Sequence, residues 1–144
     1  MPSRHKAREQ ALQVLFSWDA RKVSAQESAQ ESIEAFYGSL ASDQAEVWKS
    51  RDAFLEQLVR GTVAEIAEID SRITKHAEHW RLERMPAVDR NILRLAVYEM
   101  LHTDTPAPIL IDEALELARR FSGIQSVQFV NGVLDAVHRE HRKE

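Results

Sequence analysis

Six histidines are the first residues to weigh, because imidazole ligates metals and exchanges protons near neutral pH. His76/His79 and His138/His141 are spaced i, i+3, which would bring each pair to one helix face. A zinc or di-iron centre needs further ligands converging on such a pair. The chain has no HExxH segment and no pair of ExxH segments, and His138 and His141 stand in a charged tail. These histidines read as solvated or capping groups, and no metal is expected. Cysteine is absent, which excludes a thiol nucleophile, disulfides and Cys-based zinc sites. No GxSxG, GxGxxG or Walker loop occurs. Neither an enzyme nor a bound cofactor is expected.

A basic cluster is the stronger chemical signal. Arg4, His5, Lys6 and Arg8 fall within five residues at the start of a helical pattern. Cations at a helix N-terminus oppose its macrodipole, at a cost of a few tenths of a kcal/mol each, and a polyanion partner would explain them. Lysine and arginine reach phosphates, and arginine also stacks on bases. Phe16 falls near the edge of the same helix's apolar face, where an aromatic beside cations suits RNA stacking. A frayed, solvated terminus is the alternative reading. The wider charge pattern is uneven. Residues 1–22 carry a net +3 and residues 23–79 a net −6, within a total of −4. Two differently charged surfaces are implied, rather than a polycation that would coat any nucleic acid.

These residues need elements to hold them. The length of 144 residues is one domain's worth, and 44% hydrophobic with 29% charged residues is a globular composition. Four glycines and four prolines argue against turn-rich β and doubly wound α/β folds. No apolar run approaches the roughly 18 residues of a membrane span, and no signal-peptide core opens the chain, so a cytoplasmic protein is expected.

Helical periodicity runs nearly throughout. Ser3 can cap a first helix to about Ala20 on Ala11, Leu12, Val14, Leu15 and Trp18. Ser24–Glu27 and Asp43–Glu46 are capping-box patterns. They open a weaker helix on Ala29 and Ile33, and a long one reaching from Val47 to Ile66. Asp70 can cap a short helix ending near Trp80. After Pro86 a helix follows that is apolar almost all round, from Ile92 to Leu101, and must be buried. Arg90 and Arg94 on it suggest an internal ion-pair network for Arg94. Beyond a proline-stiffened loop, another helix uses Ile111, Ala114, Leu115, Ala118 and Phe121. The last, about Ser126–His141, uses Val130, Val133, Leu134 and Val137. Asn131-Gly132 falls inside that helix, where Gly132 would admit a close neighbour. The fold class expected is all-α.

Four segments together resemble one family. Ala7-Arg8-Glu9 with Ala11–Asp19, Val88–Met100, Pro108 with Ile111–Arg119 and Phe121, and Ser126 with Phe129–Asp135 are similar to the transcription antitermination factor NusB family, in its order. The resemblance implies a single NusB-like domain over 1–144, of about seven helices in two packed subbundles. It implies a non-enzyme that binds single-stranded boxA RNA together with the ribosomal protein NusE, in the antitermination complex on RNA polymerase. It carries RNA contact to Arg4, His5, Lys6, Arg8, Phe16 and Phe129, and NusE contact to Phe16, Glu83 and Asp89. Gln128 stands where other members often have a lysine. The resemblance is compatible with a monomer or a homodimer. Alternatives are a helical scaffold that binds only protein, and a stand-alone RNA-binding domain related to that of ribosomal RNA methyltransferases, without catalysis.

Overall fold

The computed structural model describes residues 3–21, 25–40, 51–78 and 80–144. Among them are seven α-helices and no strand. Helices α1 (Arg4–Arg21), α2 (Ala25–Gly38) and α3 (Ala53–Ala64) belong to a first compact unit, Met1–Ala64. Helices α4 (Ile66–His76), α5 (Ala87–His102), α6 (Ala107–Phe121) and α7 (Ile124–Arg142) belong to a second, Glu65–Glu144, with a 3-10 turn at Leu82–Arg84. The all-helical class is as expected.

In the first unit α1 packs on α2 and α3. Its expected stripe of Ala11, Leu12, Val14, Leu15 and Trp18 is buried, against Ile33 of α2 and Leu55, Leu58 and Val59 of α3. Ser3 caps α1, its Oγ accepting from the Lys6 N–H at 3.0 Å. The long helix expected from the second capping box does not run through residues 51 and 52. Arg51 and Asp52 are not helical, and Asp52 Oδ1 caps α3 by accepting from the N–H groups of Phe54 (3.0 Å) and Leu55 (3.3 Å). Ser24 and residues 41–50, where the capping boxes were placed, lie outside the described residues. A break falls at Glu65 (φ −105°, ψ 21°), so Ile66 opens α4 instead of closing α3.

In the second unit α5 is central, touching α4, α6 and α7. All ten residues from 91 to 100 are buried, as the circumferential apolar pattern requires. Asp70 does not cap a helix. It lies within α4, where its carboxylate takes a two-pronged bond from Arg94: Nε to Oδ1 at 2.8 Å and Nη2 to Oδ2 at 3.0 Å. Arg94 Nη1 donates to Asn91 Oδ1 at 3.2 Å, and Asn91 Nδ2 donates to the Ala87 carbonyl at 2.8 Å. The internal ion pair is therefore present, with a partner on another helix. Helix α4 ends at His76, which leaves Trp80 outside it.

Helix α6 is turned relative to expectation. Leu110, Ala114, Leu117 and Ala118 are buried, whereas Phe121 is 39% exposed. Both stripes satisfy helical spacing, and packing against α5 and α7 selects the first. The stripe of α7 is buried as expected. Gly132 is helical but has no close neighbour: a Cβ there would meet nothing within 4 Å.

Two outcomes follow. Gly132→Ala removes a flexible residue from a helix interior without a clash, and should raise stability by about 0.5–1 kcal/mol in denaturant melts. Asp70→Asn leaves Arg94 without its counter-charge. The loss should be about 2–3 kcal/mol, below the ~3–5 of a fully buried pair, because the Asp70 side chain keeps 24% exposure.

Candidate nucleic-acid interface

The basic cluster begins α1, whose first turn carries no acid. Arg4 and Lys6 are exposed and His5 is half-buried. Lys6 Nζ lies a loose 3.7 Å from Glu9 Oε1. Arg8 departs from expectation, being only 5% exposed. The spacing i, i+4 puts Arg4 and Arg8 on one side of α1, and both guanidinium groups lie against the Phe54 ring of α3, at 4.3 and 5.5 Å from its centroid. Arg8 is thus packed into the unit and is not displayed to a phosphate. Phe16 is 45% exposed. Eleven residues of helix bring it to within about 20° of His5 around α1, so the two share a face.

The second unit holds the remaining expected residues. Phe129, half-buried in the second turn of α7, meets Trp80 edge to face with ring centroids 6.3 Å apart. The two rings border a cleft of ≈ 250 Å³ that is also lined by Met85, Pro86, Asp89, Gln125 and Ser126. Asp89, expected to meet a partner protein, is 3% exposed. Its two oxygens accept from Ser122 Oγ (2.6 Å) and Ser126 Oγ (2.8 Å), which ties the start of α5 to the α6–α7 turn. A group so enclosed has an internal role and offers no free carboxylate. Glu83 is exposed on the 3-10 turn, whose carbonyl Leu82 O accepts from Arg90 Nη1 at 3.0 Å.

The acidic stretch is less open than its charge suggests. Arg51 pairs with Glu34 (2.6 Å) and Glu56 (3.1 Å), and Arg60 pairs with Glu56 (3.0 Å). The hydrogen bond from Arg51 holds the Glu34 carboxyl below its usual range. Among the histidines, His76 Nε2 lies 3.2 Å from Glu140 Oε2 and His141 Nδ1 lies 3.2 Å from Glu144 Oε1, while His79 falls outside the described residues. Glu65, Glu68 and His102 approach one another as exposed surface groups.

Two aromatic residues were not singled out from sequence. Phe54 falls inside the helix expected between Val47 and Ile66, with nothing in its spacing to set it apart. Trp80 stands among charged neighbours, outside any apolar stripe, and that placement was the available sign of an exposed ring. Phe54→Leu keeps an apolar side chain but removes the π face. It should cost about 0.5–1 kcal/mol per exposed cation–π contact. In a double-mutant cycle with Arg4→Ala the two losses should be less than additive, and strict additivity would show that the ring does not hold Arg4.

The profile of the NusB family matches residues 5–139. The transcription antitermination protein NusB of Solibacter usitatus is 64% identical over 140 residues, covering 97% of this chain and 91% of that protein. The protein of the same name from Koribacter versatilis is 48% identical, covering 96% and 90%. Among solved structures, T. maritima NusB aligns with a TM-score of 0.77 at 32% identity, covering 96% of this chain and 92% of its own. A chain in the crystal structure of the antitermination factors NusB and NusE in complex with dsRNA aligns with a TM-score of 0.71 at 32% identity, covering 95% and 96%. Because the family profile matches residues 5–139, nearly the whole length, and relatives of 64% and 48% identity are covered almost end to end, the chain belongs to the NusB family.

Proposed function

We propose that this protein binds RNA jointly with a ribosomal protein of the NusE kind, within an antitermination complex on RNA polymerase in the cytoplasm, and that it performs no catalysis. The observation that carries the reading is the exposed pair Arg4 and Lys6 at the start of α1, with Phe16 along the same helix. Family membership and the NusB–NusE–RNA neighbour support the choice of partners. Among the described residues no helix is long and apolar enough to cross a membrane.

The RNA is proposed to be single-stranded and boxA-like, because exposed rings stack on unpaired bases. The neighbouring complex contains double-stranded RNA, so both forms belong in the test. Glu83 remains a candidate contact for a basic ribosomal protein. Asp89 acts by holding the α6–α7 turn near it.

Binding of a boxA-like single strand and of a duplex is measured across salt, with and without NusE. Each phosphate contact on a single strand contributes about 0.7 to the log–log salt slope. Replacing Arg4 and Lys6 together by Ala should flatten the slope by about 1.4, with only the small stability loss of the Arg4–Phe54 contact, about 0.5–1 kcal/mol. Arg8→Ala should lower the melting temperature. An unaltered slope in the double variant would remove RNA contact from the start of α1.

A further inference from the structure

Trp80 is 52% exposed, yet it is not a loose ring. The edge-to-face contact with Phe129 orients it, and the buried Met85 lies in the same cleft. An oriented indole with a free face is a platform whose ordering cost is already met when a flat ligand arrives. Polar groups also line the cleft: the exposed Gln125 and Ser126, whose hydroxyl is engaged by Asp89. An amide offers both donors and an acceptor, which suits the edge of a heterocycle.

Charge adds a separate observation. The segments that supply the cleft, 80–90 and 119–129, contain five arginines against two acids, in a chain of net charge −4. One of those acids is the buried Asp89. Arg81 and Arg84 are exposed and flank Trp80 and Met85 in the sequence. Arg119 and Arg120 end α6. A flat aromatic platform, an amide and a cationic surround is the combination that takes a nucleobase with its phosphates.

We propose that the Trp80–Phe129 cleft docks an unstacked nucleobase of bound RNA on the indole face of Trp80, with Arg81 and Arg84 meeting the flanking phosphates. This rests on the RNA-binding reading above and adds Trp80, Arg81 and Arg84 to it. The occupant is single-stranded, because a base inside a duplex has no free face to stack.

The test uses the full chain, a boxA-like single strand and a duplex of the same sequence. Trp80→Leu keeps an apolar side chain without a ring, and Trp80→Phe restores a ring. Base–aromatic stacking corresponds to roughly a 5- to 150-fold effect on affinity. Trp80→Leu should weaken single-strand binding by that factor, Trp80→Phe should recover part of it, and the duplex should respond little. RNA should quench tryptophan fluorescence in the wild type and markedly less in Trp80→Phe. Arg81→Ala with Arg84→Ala should flatten the single-strand salt slope by about 1.4, and this measurement stands even if Trp80→Leu fails to fold. Wild-type affinity in Trp80→Leu, or an unchanged slope in the arginine variant, overturns the proposal. Loss of NusE binding with RNA binding intact also overturns it, and assigns the cleft to protein. If Arg4 and Lys6 control RNA binding while Trp80, Arg81 and Arg84 do not, the α1 site stands and the cleft falls. If no RNA binds at all, both fall.

Discussion

The second unit depends on a charge buried in its most apolar helix. Arg94 places a guanidinium in the middle of α5, where desolvation of an ion costs several kcal/mol unless its donors are met. Asp70 meets two of them as a fork, and Asn91 meets a third and passes its own donor to the Ala87 carbonyl. Apolar contacts alone tolerate small slides between helices, whereas a two-pronged bond is satisfied at one register. With α5 fixed against α4, its first turn is fixed too. That turn carries Asp89, which in turn holds Ser122 and Ser126. One ion pair thus leads, through about one and a half turns of helix, to the wall of the aromatic cleft.

The sequence disclosed what periodicity can disclose. The buried faces of α1, α5 and α7 follow from spacing alone, because each has one continuous apolar stripe or none to spare. Helix α6 offered two overlapping stripes, and only its neighbours decide between Leu110/Leu117 and Ile111/Phe121. The break at Glu65 was not legible, since neither glycine nor proline marks it. At the candidate site, residue type was legible and surroundings were not. Arg8 reads as one of a cationic cluster until Phe54, far along the chain, is found beside it. Asp89 reads as a surface acid until two hydroxyls, 33 and 37 residues away, enclose it.

Net charge proves a poor guide to the surfaces. The acidic excess of residues 23–79 is partly spent on Arg51 and Arg60, inside the first unit. Exposed cations stand at the start of α1 and, in the sequence, beside the cleft residues Trp80 and Met85. An anionic chain can therefore present two local sites to a polyanion, because screening at physiological salt confines each charge to about 8 Å.

The enclosure of Asp89 sets the electrical character of the cleft floor. Its two oxygens are held by the hydroxyls of Ser122 and Ser126. It stands, however, in the first turn of α5, where the helix end carries roughly +0.5 of an elementary charge. The helix end offsets about half of the carboxylate's charge. A ring entering the cleft meets neither a bare anion, which would repel the phosphates attached to it, nor a cation that would draw any anion indiscriminately. Discrimination is left to shape and to the arginines that neighbour the cleft residues in the sequence, and the floor contributes a muted negative charge.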